Sequence, residues 1–177
     1  GDPFNKLLHA KSINNMKARN IFQDVDSKII DTPDKNLKNI DITVEEKATG
    51  EILVGAGVGS EGGTAQFSVS ENNFLGKGVK LSTGLRVSEE RIRGNFTVTN
   101  PNFNYSDKAL STDIFVTDID KLSDSGYKSS NAGFSFGTAF EQYDDFYFKP
   151  TFKTVYEQLT TNSSASSSLK KQEGSYF

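Results

Sequence analysis

The fold is decided by the stretch Ile52-Leu53-Val54-Gly55-Ala56-Gly57-Val58-Gly59. Ile52, Val54, Ala56 and Val58 share one parity, and Leu53 and three glycines hold the other. Side chains of a β-strand point alternately to opposite faces, so this stretch predicts a strand with one apolar face. The same alternation continues from about residue 47 to residue 156, and this part of the chain therefore predicts a series of strands.

The later strands carry apolar residues on one parity and polar or charged residues on the other. The apolar positions are Ala65, Phe67, Val69, Val79, Leu81, Leu85, Val87, Ile92, Phe96, Val98, Leu110, Ile114, Val116, Phe134, Phe136, Phe140, Phe146, Phe148, Phe152 and Tyr156. Polar residues between them include Lys80, Arg86, Arg93, Asn95, Asp113 and Lys153. Such a sheet must cover its apolar face with a second sheet or with lipid, and that choice decides the function.

The amino-acid composition favours lipid, and not a second sheet, as the cover of the apolar face. Of the 177 residues only 34% are hydrophobic, and no stretch reaches the roughly 20 apolar residues of a membrane-spanning helix. The mean hydropathy is -0.51. A membrane-spanning strand needs only about 9–11 residues, of which half can be polar, so a barrel protein has a hydrophilic composition.

The chain lacks the residues that several classes of function need. Cysteine is absent and His9 is the single histidine, so the chain cannot form a disulfide, a zinc site or a histidine-based triad. The net charge of -3 and the dispersed basic residues argue against a nucleic-acid partner. We therefore expect no enzyme and no cofactor, and we expect His9 to lie at the surface or flank of a helix.

Two motifs suggest ligand sites but lack the required context. Gly55-x-Gly57-x-Gly59 is not followed by a helix that could receive a phosphate. Asp118, Asp120 and Asp124 lack the ligand spacing and closing glutamate of an EF-hand. We therefore expect no nucleotide or metal site, and interpret the aspartates as part of a solvated loop.

Three regions follow from the pattern: residues 1–46, 47–159 and 160–177. The first predicts a helix beginning at Asp2-Pro3, a strand from Ile21-Phe22 and a second strand over residues 37–44. These elements bury too little apolar area to fold alone, which indicates half of a small α+β domain. The chain opens at Gly1 without an initiator methionine, so we interpret it as an excised fragment.

The second region predicts about seven strands joined by two kinds of connection. Residues 61–63, 89–90 and the long segment 118–130 are polar. Residues 75–78, 102–108 and 143–145 are short and lie beside the aromatic residues Phe74, Phe103, Tyr105, Tyr143 and Phe146. Membrane barrels have short turns on one side, longer loops on the other and aromatic girdles at the interfaces.

Proline, lysine and serine add further expectations. Asn100-Pro101 predicts the end of the fourth of these strands, and Pro150 predicts a bulge or kink inside the seventh. Arg93, Lys149 and Lys153 are expected on the polar face, lining a wet lumen. The serine-rich residues 160–174 predict a mobile loop, after which the alternation resumes.

Several stretches resemble one known family. Residues 2–4, 7–8, 12–13 and 21–25 resemble the second helix and following strand of a POTRA domain, and residues 42–50 resemble its last strand running into a barrel. Residues 55–59 and 70–78 are similar to the opening hairpin of the BamA family of bacterial outer-membrane assembly factors. The turn residues that carry the resemblance are Asn73, Phe74, Leu75, Gly76, Asn100, Pro101 and Phe103.

The resemblance implies a sixteen-stranded barrel preceded by periplasmic POTRA domains, with part of the last POTRA domain and the first seven strands present here. Members of the family insert other barrel proteins into the outer membrane, so the implied partners are unfolded outer-membrane proteins, accessory lipoproteins and membrane lipid. The family engages its clients at the seam of its first strand. The corresponding residues are Glu51, Ile52, Leu53, Val54, Gly55, Ala56, Gly57, Val58 and Gly59.

The pattern leaves alternatives open. The first-strand glycines either weaken closure at a seam or relieve crowding where strands bend into a barrel. A translocation or secretion pore of the same superfamily and a soluble β-sandwich binding module are the other functions considered. If lipid covers the apolar face, the lipid-facing residues include Phe67, Val69, Phe96, Val98, Ile114, Phe134, Phe136, Phe148 and Phe152.

Overall fold

The computed structural model describes residues 3–34, 36–60 and 62–177. The chain forms two compact units, residues 1–50 and 51–177, each of which is described by itself. Strands account for 63% of the structure, which confirms the predicted mostly β class. No helix in the described ranges has the length and apolar character needed to cross a membrane.

The first unit contains helix α1 (Lys6–Ala18) and the antiparallel strands β1 (Phe22–Asp31) and β2 (Lys38–Glu46). The helix starts later than predicted, because the side chain of Asn5 caps it. The amide oxygen of Asn5 accepts hydrogen bonds from the backbone N–H groups of residues 7 and 8 at 2.9 and 3.2 Å. The predicted cap, Asp2, lies outside the described residues.

Helix α1 is tied to strand β1 by a short polar contact and a small apolar core. The Nε2 atom of His9 lies 2.8 Å from the hydroxyl of Ser27. Ile21 and Val25 are buried, with 7% and 4% of their surfaces exposed. His9 therefore has a structural role on the flank of the helix.

The second unit is an antiparallel sheet with two short helical segments. Its strands are β3 (Gly50–Gly59), β4 (Gly62–Phe74), β5 (Val79–Ser88), β6 (Arg91–Asn100), β7 (Ala109–Lys121), β8 (Tyr127–Tyr143), β9 (Phe146–Phe148), β10 (Thr151–Thr161) and β11 (Gly174–Tyr176). The helical segments are a 3-10 turn (Phe103–Tyr105) and helix α2 (Ser167–Lys170). Hydrogen-bonded neighbours follow the order β11-β10-β8-β7-β6-β5-β4-β3, and β9 also pairs with β8. Within the described residues the sheet is open, with β3 at one edge and β11 at the other.

The strand register separates the two faces as the alternation predicted. Phe96 lies opposite Thr83 on β5 and Ile114 on β7, and Ile114 in turn lies opposite Phe134 on β8. All nine predicted lipid-facing residues share this apolar face. Large side chains on it remain exposed, such as Phe152 at 63%. No second layer of the same unit covers the face in the part of the chain that the structure describes.

Pro101 and Pro150 lie at strand ends or interruptions, as expected. Strand β6 ends at Asn100, directly before Pro101. The predicted seventh strand is divided into β9 and β10 by Lys149-Pro150, and the carbonyl of Pro150 accepts a hydrogen bond from the backbone N–H of Thr138 at 3.1 Å. Lys149 therefore lies in the interruption and not within a strand, contrary to its predicted place on the polar face. Proline causes the break because it has no N–H to donate to the ladder.

The prediction of a long loop over residues 118–130 is wrong. Strand β7 continues to Lys121 and β8 begins at Tyr127, so only residues 122–126 connect them. The hydroxyl of Ser130 donates to Asp118 at 2.5 Å, and Lys128 Nζ lies 3.5 Å from both Asp118 and Asp120. The face that is apolar at Ile114 and Val116 carries charged and hydroxyl side chains here, so the apolar alternation disappears although the backbone ladder continues.

The serine-rich segment is ordered, in contrast to the mobile loop that its composition predicted. Strand β10 reaches Thr161, and Ser166 caps helix α2 through its hydroxyl. The backbone N–H of Asn162 donates to the carbonyl of Gly126 at 2.9 Å, and Ala165 is only 7% exposed. Contacts with the neighbouring β7–β8 connection therefore stabilise a segment that has few apolar residues of its own.

Candidate functional site: a free strand edge

Strand β3 is the candidate functional site because it holds the predicted seam residues and, within the described residues, is paired at one edge only. It is hydrogen-bonded to β4, and no described strand pairs with its other edge. A strand directs its backbone N–H and C=O groups alternately to its two sides, so the free edge presents a row of donors and acceptors. The predicted seam residues 51–59 all belong to this strand.

The apolar side chains of β3 are strongly exposed. Ile52 is 69% exposed, Val54 75% and Val58 91%. Gly55, Gly57 and Gly59 have the other parity and lie on the polar face, where a Cβ on Gly55 would come within 2.9 Å of the Gln66 side chain. A side chain on Gly59 would meet nothing within 4 Å. Relief of crowding therefore explains Gly55 but not Gly59.

The turn after β4 is organised by Asn73. Its side-chain oxygen accepts a hydrogen bond from the N–H of Gly78 at 2.7 Å, and its carbonyl accepts one from Gly76 at 2.9 Å. Leu75 and Gly76 have positive φ angles of 55° and 69°. Glycine adopts this conformation readily and leucine rarely does, so the asparagine contacts hold a tight and partly strained turn.

The turn after β6 is built in a similar way. The side chain of Asn100 accepts a hydrogen bond from the N–H of Asn102 at 3.1 Å, and the N–H of Phe103 donates to the carbonyl of Lys108 at 2.9 Å. This turn, the turn after β4 and the β8–β9 turn lie at one end of the sheet, which we call the turn end. The five aromatic residues predicted to form a girdle, Phe74, Phe103, Tyr105, Tyr143 and Phe146, lie at or next to these turns.

Phe115 is a residue that the sequence pattern missed. It lies on the polar face, opposite Gly133 on β8, and Lys153 Nζ lies 4.5 Å from the centre of its ring. Its neighbours Ile114 and Val116 are apolar too, which hides the parity of Phe115 in the sequence. Only the register with Gly133 shows that a large ring faces a position without a side chain.

The opposite end of the sheet, which we call the loop end, carries an ion pair between the β5–β6 turn and the last residue of β7. Lys121 Nζ lies 2.9 Å from a carboxylate oxygen of Glu90. The hydrogen bond from Lys121 lowers the pKa of Glu90, with smaller contributions from Asp124 and the positive charge of Arg91, while partial burial opposes the shift. The β5–β6 turn is thereby linked to the end of β7.

This ion pair predicts a pH dependence of the loop end. A carboxyl whose pKa is lowered by folding stabilises the folded state above its unfolded pKa of about 4.3, and loses this effect as the pH falls through the lower folded value. We expect the protection factors of the β5–β6 turn amides, which correct for the intrinsic exchange rate at each pH, to decrease over that acidic range. Glu90→Gln should remove this decrease, whereas Glu141→Gln at the turn end should leave it unchanged. An identical pH profile in Glu90→Gln would contradict the assignment.

Comparison with known proteins identifies the family of this chain. A family model described as the Omp85 superfamily domain matches residues 73–176, which is more than half of the chain. The chain belongs to the Omp85 superfamily. The match begins within β4, so it does not include β3. Membership in this superfamily implies an outer-membrane location.

A solved structure shows the same fold. The crystal structure of BamA from Haemophilus ducreyi lacking POTRA domains 1–3 is similar to 86% of this Omp85 chain, with a TM-score of 0.69 and 20% sequence identity. The matched part is 30% of that BamA chain, so this chain spans less than a third of that relative. The resemblance to the BamA family found in the sequence is confirmed. Neither comparison supports the soluble β-sandwich alternative.

Proposed function

We propose that this chain is part of an outer-membrane insertase that offers the free edge of β3 to incoming strands of other barrel proteins. The observation that carries the proposal is the position of β3 at the edge of an Omp85 sheet. Its exposed N–H and C=O groups have no partner strand in the described residues. An unpaired backbone group in hydrocarbon costs several kcal/mol, so an incoming strand that pairs with this edge lowers the free energy.

In this proposal the apolar face of the sheet contacts lipid and the polar face lines a wet interior. The nine residues from Phe67 to Phe152 that share the apolar face support this, because they lie on one side and seven of them are exposed, while Val69 and Val98 are half-buried. The turn end faces the periplasm, and residues 1–46 belong to a periplasmic POTRA domain. The aromatic residues at the turn end then lie at the membrane interface, where such rings are favoured.

The proposed activity needs no catalytic group and no cofactor. Strand pairing and local disturbance of the bilayer supply the driving force. The proposed partners are unfolded outer-membrane proteins, accessory lipoproteins bound through the POTRA part, and membrane lipid. No nucleic acid takes part.

Cross-linking in the full-length protein tests the proposal. Single cysteines at Ile52, Val54 and Val58 should form disulfides with cysteines in a client strand that is halted during assembly. Cysteines at Ile92 and Phe96 are matched controls, because β6 is paired on both sides by β5 and β7. Cross-links confined to the three β3 positions are the expected result.

Two results would contradict the proposal. Equal cross-linking at β3 and β6 would show that the free edge of β3 has no special part. Cross-links to the polar face, for instance at Asn95 or Asp113, with none at β3, would instead favour a translocation pore, in which the client passes through the interior.

A further inference from the structure

An arginine cluster on the polar face lies near the loop end of the sheet. Arg86 on β5 and Arg93 on β6 are direct partners in the strand register, and Arg91 lies two residues before Arg93 on the same face. The three arginines line a pocket of about 250 Å³. Its wall also includes Gly59 and the hydroxyl residues Ser60, Thr64 and Ser88.

The positive charge of Arg86 and Arg93 is not balanced locally. Like charges directly opposite each other on a sheet are destabilising. In the described ranges neither arginine has a carboxylate within 4.0 Å, whereas the nearby Glu90 is held by Lys121. Arg91 differs from the pair, because its charge acts on Glu90. Within the described residues, Arg86 and Arg93 therefore form a cationic pair without a salt-bridge partner beside the pocket.

The pocket has room for a ligand and additional donors for it. A Cβ on Gly59 would meet no atom within 4 Å, so β3 leaves open space at this point of the wall. The hydroxyls of Thr64 and Ser88 make only long hydrogen bonds, each of 3.3 Å, to the carbonyls of Gly57 and Arg91. Bonds of that length are easily exchanged for bonds to a charged acceptor.

Ligand geometry favours phosphate over a carboxylate. A guanidinium group presents two parallel N–H donors, and the two oxygens of a carboxylate are matched by one such fork. A tetrahedral phosphate has enough oxygens to accept from two forks and from hydroxyls. We propose that Arg86 and Arg93, with Ser60 and Thr64, form a binding site for a phosphate group, supplied either by a soluble phosphate compound or by a lipid headgroup. This site goes beyond the strand-pairing function and does not depend on it.

The test uses the full-length protein in nonionic detergent, titrated with inorganic phosphate at constant ionic strength and followed by calorimetry. The double variant Arg86→Gln/Arg93→Gln should bind phosphate at least about tenfold more weakly, because each charge-assisted hydrogen bond contributes substantially to affinity. Arg93→Lys keeps the charge but loses the fork, and should give an intermediate loss.

Lys80→Gln is the matched control. Lys80 lies on the same strand and face as Arg86 but near the turn end. Its distance from the pocket exceeds the screening length of about 10 Å, so its removal should leave phosphate affinity unchanged. Unchanged binding in the double variant would overturn the proposal, and so would an equal loss in Lys80→Gln. Should the double variant not fold, undiminished affinity in Arg93→Lys would overturn it.

A second arm identifies the source of the phosphate. Detergent micelles doped with phosphatidic acid are compared with undoped micelles as competitors for inorganic phosphate. Displacement by doped micelles in the unmodified protein, weakened in Arg93→Lys, supports a lipid headgroup as the ligand. Absence of displacement supports a soluble phosphate compound.

Discussion

Phe96→Arg is expected to destabilise the full-length protein in lipid vesicles by about 2–4 kcal/mol. Phe96 is 44% exposed on the apolar face, where its neighbours across the strands are Thr83 and Ile114. In the proposed orientation these side chains contact hydrocarbon, and an arginine there must bring its charge into the bilayer or distort it. Denaturant titration of the folded protein in vesicles measures the loss.

The neighbouring residue provides the control. Asn95 lies on the same strand, on the polar face opposite Gly84 and Phe115. Asn95→Arg should change the free energy of unfolding by no more than about 0.5 kcal/mol, because the new charge stays in water. Phe136→Arg should repeat the large effect, whereas Phe148→Arg, beside the turn end, should have a smaller one. Similar losses for Phe96→Arg and Asn95→Arg would mean that lipid does not cover this face.

Gly133→Ala is expected to destabilise the protein by about 1–3 kcal/mol, although alanine usually suits a strand better than glycine. An added Cβ would lie 2.4 Å from the carbonyl oxygen of Thr154 and 2.6 Å from Cζ of Phe115. The backbone of β10 cannot move away without disturbing its hydrogen bonds to β8. The change in unfolding free energy in vesicles again provides the measurement.

Two further variants separate the causes. Gly63→Ala is the matched control, since its Cβ would meet only a flexible glutamate side chain at 3.8 Å, and it should be neutral or slightly stabilising. Phe115→Leu combined with Gly133→Ala relieves the ring contact but not the contact with Thr154, so the double variant should remain destabilised. A neutral Gly133→Ala would disprove the close approach of β8 and β10.

The sequence predicted the class of the fold, the two faces of the sheet and the interruptions at Pro101 and Pro150. These features depend on local chemistry, namely the alternation of side chains along a strand and the missing N–H of proline. The turn motifs around Asn73 and Asn100 were also visible, because their short-range hydrogen bonds involve neighbouring residues. The family resemblance carried by these motifs was confirmed by the Omp85 match.

The errors arose where structure depends on contacts between distant segments. Strand β7 continues past its apolar positions because β8 supplies ladder partners for residues such as Asp118. The serine-rich segment is ordered because Asn162 bonds to Gly126, which is 36 residues earlier in the sequence. Neither partner can be identified from the composition of the segment itself.

The sequence by itself determined which side chains share a face, because the backbone geometry of a strand makes adjacent side chains point in opposite directions. Only the tertiary structure decided which residues lie opposite one another, such as Phe115 and Gly133 or Arg86 and Arg93. Within the described residues, it also placed β3 at one edge of the sheet. The physical reason is that register and strand order are set by hydrogen bonds between segments far apart in the chain, about which local periodicity carries no information.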